Sequence, residues 1–362
     1  MNQVRVAIAD DSAFIRKALV RILEADSRLE VVGTASCGEE LLDHLPTWKP
    51  DVISLDLSMP GIGGLRTLDR IMEQQPTPVI ILSTHAREDA PLTIEALHRG
   101  AVDFIDKQRY SLVDFQSLSR ILIDRILEIS SRREALPPPQ DQRHASEPAP
   151  SEEVASKTEV ASQAAEPAAA PTHDLLVIAA STGGPMAIQT VLDSLGPKPP
   201  VPVVVIQHMP PDFTAAFADR LNNHLPFAVR HAADGEPLRP GTAYVAPGGS
   251  QFRFAIGSSG LVAALTEGHS GRKHSPSADV AFSSAAAALG SRVLAAILTG
   301  MGTDGAEGLS ELAGLGAYAV AQDRTSSIVF GMPRAAVERG AVAEVLALED
   351  IGPRLAEILR VG

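Results

Sequence analysis

Three polar side chains in the C-terminal half of the chain follow three apolar runs that are typical of buried β-strands. Ser181 ends LLVIAAS, His208 ends VPVVVIQH, and Asp304 comes shortly after RVLAAILTG. Because the carboxyl ends of parallel strands meet at one edge of a sheet, we expect these side chains to lie close together. A hydroxyl, an imidazole and a carboxylate in contact can form a relay, in which the imidazole takes the hydroxyl proton and the carboxylate orients the imidazole.

Four glycines lie close in sequence to Ser181 and Asp304, and their role has two interpretations. The four are Gly183, Gly184, Gly300 and Gly302. They leave backbone N–H groups free to approach a developing oxyanion, as acyl transfer requires. Alternatively, Ser181 or Thr182 caps the helix that follows AASTGG, and the glycines only permit a tight turn. The G-x-S-x-G elbow of common hydrolases is absent.

The segment GMGTDG, which begins at Gly300, also matches a dinucleotide-binding fingerprint. It follows a strand and opens a helix, and Asp323 stands near the position expected for an acid that binds a ribose. Three observations weigh against this alternative. The segment falls late in its domain, Asp304 would place a negative charge beside the pyrophosphate, and Ser181 and His208 would have no role.

A second group of polar residues follows strand-like runs in the N-terminal half. Asp10 and Asp11 come after the first run, and Asp56 lies near the end of the third. Three adjacent carboxylates repel one another unless a cation neutralises them, and hard oxygen ligands suit Mg²⁺. Ser83 and Lys107 end later strands and would reach the same edge, which completes a set suited to phosphoryl transfer to Asp56. Alternatively, such acids solubilise loops or cap helices.

Both halves alternate strand-like and helix-like patterns, which indicates the α/β class with two doubly wound parallel sheets. The first half shows five strands: VRVAIAD, LEVVGTA, DVISLDL, PVIILST and AVDFID. The second shows LLVIAAS, VPVVVIQH, RVLAAILTG and AYAVAQD, with FRFAIGSSGLVAALTE as an inserted antiparallel hairpin. Between the halves, residues 132–172 are rich in Pro, Ala, Ser and Glu and predict a flexible linker.

Composition excludes several classes of protein. The 362 residues are about right for two domains, and the net charge of −13 argues against a nucleic-acid partner. The single Cys37 excludes an internal disulfide framework. The N-terminus lacks the pattern of a signal peptide and no apolar run reaches the length of a membrane span, so we expect a cytoplasmic protein without membrane insertion.

Residues 4–125 resemble a response-regulator receiver domain, with a flavodoxin-like fold. The resemblance rests on IADDSAFIRKAL, DVISLDLSMPGIGGL and GAVDFIDK. It implies that Asp56 accepts the phosphoryl group and, with Asp10, Asp11 and the backbone of Ser58, holds Mg²⁺. It also implies that three residues read out phosphorylation, with an aromatic switch among them: Ser83, Phe104 and Lys107.

Two departures from the receiver pattern concern the strength of this switch. The usual Asp-Gly after Met-Pro is replaced by Gly63-Gly64, which loosens a loop beside the acceptor. The usual Pro-Lys-Pro is replaced by Asp106-Lys107-Gln108, which removes a proline beside the lysine. Both leave Asp56 in place as the acceptor.

Residues 174–350 resemble the catalytic domain of the chemotaxis protein-glutamate methylesterase, with a Rossmann-like fold. The resemblance rests on IAASTGGP, VIQHMPPDFTAAFADRL, AYVAPGG, HSPSADVAFSSAA, ILTGMGTDGAEGL and AQDRTSSIVFGMPRAA. It implies Ser181 as nucleophile, His208 as general base and Asp304 as the acid that orients it. It also implies Thr182 and the Met301 backbone N–H as oxyanion donors.

We therefore expect a receiver domain over residues 1–131, the linker over 132–172 and a methylesterase domain over 173–362. The resemblance implies hydrolysis of glutamate γ-methyl esters on chemoreceptors, deamidation of receptor glutamines, a chemotaxis histidine kinase as phosphodonor, and no cofactor for ester hydrolysis. We expect a monomer whose unphosphorylated receiver covers the cleft around Ser181. The alternative is a signalling adaptor with a non-catalytic nucleotide-binding domain. The resemblance places His274 in a loop near the active site, and we expect this loop to be solvated. The alternative is that Arg272, Lys273 and His274 contact an acidic receptor surface.

Overall fold

The computed structural model describes residues 3–83, 89–106, 115–130, 173–268 and 274–360. The predicted linker over residues 132–172 lies outside the described residues. Within the described ranges, no helix combines the length and the apolar character needed to cross a membrane.

The N-terminal domain is a five-stranded parallel sheet with helices between its strands. Its elements are β1 (Val4–Ala9), α1 (Ala13–Leu23), β2 (Leu29–Ala35), α2 (Gly38–Trp48), β3 (Val52–Asp56), α3 (Gly63–Gln74), β4 (Val79–Ser83), α4 (Ala90–His98), β5 (Asp103–Asp106) and α5 (Phe115–Ser130). The strand order is β2-β1-β3-β4-β5, with every pair parallel. The direction of winding reverses between β1 and β3, which brings the loops after these two strands to a switch point. The five predicted strands and the flavodoxin-like fold are confirmed.

The first helix shows how the sequence sets these elements. The hydroxyl of Ser12 accepts a hydrogen bond from the backbone N–H of Ile15, which satisfies one of the free donors at the start of α1. Leu19, Ile22 and Leu23 recur at helical spacing and are buried against the sheet. The cap and the apolar face together fix where α1 begins, and therefore where the loop holding Asp10 and Asp11 ends.

The C-terminal domain has a seven-stranded parallel sheet and a separate antiparallel hairpin. Its elements are β6 (Leu175–Ala180), α6 (Gly184–Asp193), β7 (Val203–Gln207), α7 (Pro211–His224), β8 (Ala228–His231), β9 (Thr242–Val245), β10 (Ser250–Gly257), β11 (Gly260–Glu267), α8 (Ala278–Leu289), β12 (Val293–Ile297), α9 (Ala306–Gly314), β13 (Tyr318–Gln322), α10 (Met332–Glu338), β14 (Glu344–Leu346) and α11 (Leu348–Arg360). The order is β14-β13-β12-β6-β7-β9-β8, and β10 pairs with β11 as the predicted hairpin.

The sequence patterns predicted four of these seven strands and missed β8, β9 and β14. The four predicted strands lie next to one another at the centre of the sheet, where both faces are covered and the residues form long apolar runs. β8 and β14 are edge strands of four and three residues with few buried side chains, and β9 has four residues, so none gives a long apolar run.

The two domains pack directly against each other. Helix α4 of the N-terminal domain lies against α7 of the C-terminal domain, and buried side chains of both domains form one apolar cluster. Two ring pairs cross this boundary: Phe104 with Phe213, with centroids 4.4 Å apart, and His98 with His224, 6.2 Å apart. The carboxyl edge of the C-terminal sheet is therefore covered in part by the other domain.

Candidate active site and phosphorylation site

Strands β6 and β7 bring Ser181 and His208 to the same edge. Ala180 and Gln207 are paired in the sheet, and each is followed directly by one of the two predicted residues. The backbone N–H of His208 donates to the carbonyl of Ala180 (3.2 Å), and that of Ser181 donates to the carbonyl of Thr299 (3.0 Å), just after β12. The winding reverses between β6 and β12, so this edge is the switch point of the sheet.

The side chain of His208 is held by Asp304, which lies in the loop after β12. Nε2 of His208 lies 2.8 Å from Oδ2 of Asp304, and both side chains are at least nine-tenths buried. With Nε2 donating to the carboxylate, Nδ1 keeps the lone pair of the neutral imidazole. Nδ1 is buried and has no hydrogen-bond partner within the described parts of the chain. It is therefore the nitrogen that can take a proton.

The carboxylate of Asp304 receives donors from a second segment. The hydroxyl of Ser277 donates to Oδ1 (2.7 Å) and the backbone N–H of Ala278 donates to Oδ2 (2.6 Å). Burial alone would raise the pKa of Asp304, but the hydrogen bond from His208 and these donors outweigh it and hold the pKa below its usual range. Asp304 is thus kept ionised, as the orienting acid of a relay must be.

Glycines bring the turns around Ser181 into close contact. A Cβ on Gly300 would lie 2.9 Å from the Cβ of Ser181 and 2.3 Å from the sulfur of Met332. Gly183 has a φ of +75°, and a Cβ there would lie 2.8 Å from the side chain of Ile328. Larger residues would push the loop after β12 away from Ser181, so packing requires both glycines, and the positive φ of Gly183 requires glycine there as well.

The two residues implied as oxyanion donors are found beside Ser181 or in the glycine loop. Thr182 is buried, and its hydroxyl donates to Oδ2 of Asp103 in the N-terminal domain (2.8 Å). Met301 is partly exposed and follows Gly300. The oxyanion roles of Thr182 and the Met301 N–H stay predictions.

A residue given no role in the sequence analysis lies against the predicted base. The imidazole of His274 is stacked on that of His208, with ring centroids 4.1 Å apart and planes 1° from parallel. His274 is partly buried, so the expectation of a solvated loop residue is wrong for this side chain. The segment HSPSADV, which also supplies Ser277, was the signal that could have indicated it.

The carboxylates of the N-terminal domain meet at the switch point of its sheet. One carboxylate oxygen from each of Asp10, Asp11 and Asp56 lies within 4.8 Å of the others, and Asp10 and Asp56 are buried. The backbone N–H of Ser58 donates to Oδ1 of Asp56 (3.2 Å). Three carboxylates at this spacing are stabilised by a hard divalent cation, so the residues present fit Mg²⁺.

The structure describes two of the three residues that the receiver resemblance implies for the readout of phosphorylation, Ser83 and Phe104. Ser83 is buried at the end of β4, and its hydroxyl has no hydrogen-bond partner in the described residues. Phe104 is buried and packs on Phe213 of the other domain. Lys107 lies outside the described residues, so its role stays a prediction.

Comparisons with known proteins match both domains. A family described as CheB methylesterase matches residues 176–355, and one described as response regulator receiver domain matches residues 6–115. A protein-glutamate methylesterase/protein-glutamine glutaminase of Halalkalibacterium halodurans is 38% identical over 354 residues, covering 97% of this chain and 96% of that protein. A relative from Vibrio cholerae with the same name, numbered 1, is 36% identical and covers 97% and 98%. The crystal structure of the Thermotoga maritima CheB methylesterase catalytic domain is 34% identical, covers 51% of this chain and 98% of that one, and has a TM-score of 0.50.

Proposed function

Because the chain belongs to the protein-glutamate methylesterase/protein-glutamine glutaminase family, with a CheB methylesterase domain and a response-regulator receiver domain, we propose that it hydrolyses glutamate γ-methyl esters on chemoreceptors. Methanol is the product released. The observation that carries this proposal is the hydrogen bond between His208 and Asp304 (2.8 Å) at the sheet edge where Ser181 follows β6, since the backbone N–H of His208 donates to the carbonyl of Ala180 directly before Ser181.

The geometry supports a two-step acyl transfer. Nδ1 of His208 takes the proton of the Ser181 hydroxyl as its oxygen attacks the ester carbonyl, and the imidazolium then gives that proton to the departing methoxide. Water, deprotonated by the same imidazole, cleaves the acyl-enzyme and restores the Ser181 hydroxyl. Asp304 stays ionised and stabilises the imidazolium in both steps. Deamidation of receptor glutamines follows the same route, with ammonia as the leaving group.

The nucleotide-binding alternative is not supported. Within GMGTDG, the carboxylate of Asp304 is committed to His208 and Ser277, and a second acid, Asp279, receives the N–H groups at the start of α9. Those N–H groups are the ones that a pyrophosphate would need in a dinucleotide site. The loop therefore serves the relay.

The receiver domain controls access to Ser181 in this proposal. Its Asp103 accepts the hydroxyl of Thr182 (2.8 Å), and its Val102 carbonyl accepts the backbone N–H of Gly183 (3.0 Å). Both contacts are made by the residues that follow Ser181 directly. Asp103 is held in turn by an ion pair with Arg125 on α5 (2.9 Å). The contacts support a docked, inhibited state in which the turn that carries the nucleophile is bound to the receiver.

Phosphorylation of Asp56 would release this docked state. Mg²⁺ would be held by Asp10, Asp11 and Asp56 together with the Ser58 backbone, and it would neutralise charge on the transferred phosphoryl group. The buried hydroxyl of Ser83, which has no hydrogen-bond partner among the described residues, would donate to a phosphoryl oxygen on Asp56. Because Phe104 packs on Phe213, a movement of the Phe104 ring would directly change the packing between the two domains.

We propose the following cellular setting for a member of this family. A chemotaxis histidine kinase supplies the phosphoryl group, methylated chemoreceptors are the substrate, and the enzyme works as a monomer in the cytoplasm. The predicted linker over residues 132–172 would keep the two domains at high effective concentration, so that weak docking is populated.

A methanol-release assay tests the proposed function. Full-length protein is incubated with membranes that carry methyl-labelled chemoreceptors, with and without acetyl phosphate and Mg²⁺. We expect methanol release that rises with the phosphodonor and is absent in Ser181→Ala. Release by Ser181→Ala at the wild-type rate would contradict the assignment of the nucleophile.

A further inference from the structure

One segment of the chain contacts both the base and the acid of the proposed relay. Residues 274–278 place the imidazole of His274 on the face of His208, while the Ser277 hydroxyl and the Ala278 N–H bind the carboxylate of Asp304. The acid contacts account for the ionisation of Asp304. The contact between His274 and His208 has no function in the two-step acyl transfer.

The backbone of this segment is fixed around His274. The carbonyl of His274 accepts the side-chain amide of Gln251 (2.7 Å), and the carbonyl of Ser275 accepts the N–H of Gly249 (2.9 Å). The hydroxyl of Ser275 donates to the carbonyl of Gly268 (2.9 Å). These bonds tie the segment to both strands of the hairpin or to their ends, so the ring of His274 is presented from a rigid support.

The ring of His208 needs such a support. Its one side-chain hydrogen bond among the described residues is from Nε2 to Asp304, because Nδ1 has no partner there. A single hydrogen bond fixes the position of one ring atom but does not define the ring plane, which is set by the side chains that pack against the buried ring. A general base must point its lone pair at the proton it abstracts, so the ring plane has to be set by another contact.

We propose that His274 is a positioning residue for the base: its stacked ring sets the plane of His208, so that Nδ1 faces the Ser181 hydroxyl. This inference rests on the proposed ester hydrolysis. In its neutral form, the aromatic face of His274 also stabilises the imidazolium that His208 becomes in the transition state, since a cation is attracted to a π face. His274 touches no reacting atom and acts only through His208.

Three substitutions in the full-length chain separate stacking from filling of space. His274→Ala removes the ring, His274→Leu fills the space with a non-planar group, and His274→Phe restores a planar aromatic face. With methylated receptor membranes and acetyl phosphate, we expect His274→Ala and His274→Leu to lower kcat about tenfold with KM within twofold of wild type. His274→Phe should recover most of kcat. Equal kcat for the Leu and Phe variants, or a loss confined to KM, would overturn the proposal.

As a matched control, a stacked histidine of the receiver domain is replaced by alanine. His44 stacks on Trp48 in α2 of the receiver domain, with centroids 4.9 Å apart, and is exposed far from Ser181 in the fold. His44→Ala should leave kcat within twofold of wild type. A tenfold loss of kcat in His44→Ala would show that loss of any such stack lowers activity, and would count against the specific role of His274.

A second measurement needs no turnover, so it distinguishes failure of this inference from failure of the proposed function. The ring signals of His208 in labelled full-length protein report its mobility by NMR. We expect one sharp set in wild type and in His274→Phe, and broadened or doubled signals in His274→Ala and His274→Leu. Identical sharp signals in all four proteins would overturn the positioning role. If wild type releases no methanol, the proposed function fails while this measurement still decides the role of His274.

Discussion

At the edge of the C-terminal sheet, the carboxylate of Asp304 already accepts donors from His208, Ser277 and Ala278, whereas at the edge of the N-terminal sheet the buried hydroxyl of Ser83 has no partner among the described residues. Both edges are switch points of parallel sheets and both hold buried acids. The first edge is organised before substrate binds, which avoids reorganisation during the reaction. In the proposed mechanism a phosphoryl group on Asp56 would accept a hydrogen bond from this hydroxyl, and such a change of partner is what a two-state element requires.

The largest expected loss of activity comes from substitutions at the edge of the C-terminal sheet. Ser181→Ala and His208→Ala should each lower methanol release by at least about a thousandfold, since members of such a relay act as a unit. Thermal unfolding of Ser181→Ala should stay close to wild type, because Ser181 is partly exposed at a turn. If a variant loses both methanol release and its thermal unfolding transition, the substitution has unfolded the protein, and the loss of release then says nothing about catalysis.

A smaller loss is expected for the acid. Asp304→Asn keeps the size of the side chain but presents the wrong partner to Nε2 of His208, so kcat should fall by about a hundredfold or more. Ser277→Ala removes one donor to Asp304 and leaves the Ala278 N–H, so it should cost less than Asp304→Asn. Steady-state methanol release measures both variants. A larger loss in Ser277→Ala would show that the donors matter more than the charge.

Asp56→Asn removes the proposed phosphoryl acceptor at the edge of the N-terminal sheet and leaves Ser181, His208 and Asp304 unchanged. Basal methanol release should equal that of wild type, and the stimulation by acetyl phosphate should disappear, because the amide cannot accept a phosphoryl group. The measurement is release with and without the phosphodonor at saturating Mg²⁺. Stimulation that survives in this variant would place the acceptor elsewhere.

The contact between the two edges is tested at Asp103. Asp103→Ala removes the acceptor of the Thr182 hydroxyl, so basal release by unphosphorylated protein should rise severalfold toward the rate of the fragment 172–362. Glu30→Ala is the matched control, because Glu30 forms an exposed ion pair with Arg5 on the receiver. A fragment no faster than resting full-length protein would exclude simple inhibition and indicate positive contacts between the domains.

The smallest effect concerns pH at the α4–α7 contact. Burial, followed by the charge of Arg220 and opposed by Glu95, holds the pKa of His98 below its usual 6.5, and His224 also faces it. The docked state therefore binds this proton less readily than the undocked state. Docking is at full strength above about pH 6.5 and is lost progressively as the pH falls through the lowered pKa of His98.

Basal release measures this shift in docking. The ratio of wild type to His98→Gln should be near one at pH 7.5 and about two at pH 5.5, because the glutamine cannot become charged. His173→Gln is the control, since burial also lowers the pKa of His173. A constant ratio across this range would contradict a role for His98.

Most of the fold was predictable because its central strands are long and apolar. β6 and β12 are buried along their whole length, and each carries its functional residue or loop directly after its end. β8 has only Val229 buried among its four residues, so neither alternation nor an apolar run marks it. Edge strands are stabilised by a single neighbour in the sheet, which leaves little trace in the sequence.

In the candidate site, only the residues that follow strands of the parallel sheet were predictable from the sequence. Ser181, His208 and Asp304 all follow strands at one edge of the sheet, and His208 and Asp304 are hydrogen-bonded there. His274 lies in a loop without periodic pattern, so its stack on His208 follows from tertiary packing. Asp103 begins a strand of the other domain, and no local pattern could indicate that its carboxylate meets Thr182.

The bond from the Gly183 N–H to the Val102 carbonyl has a consequence for the exchange of domains between relatives. Neither atom belongs to a side chain, so no substitution at Val102 deletes the acceptor, and at Gly183 only proline, which has no backbone N–H, would delete the donor. The neighbouring bond between Asp103 and Thr182 can be gained or lost by one codon change. A receiver transplanted from a relative with the same backbone path would bring the first bond with it, while the second would depend on its own sequence. The inhibition that we propose would therefore be inherited through the fold and adjusted through the side chains.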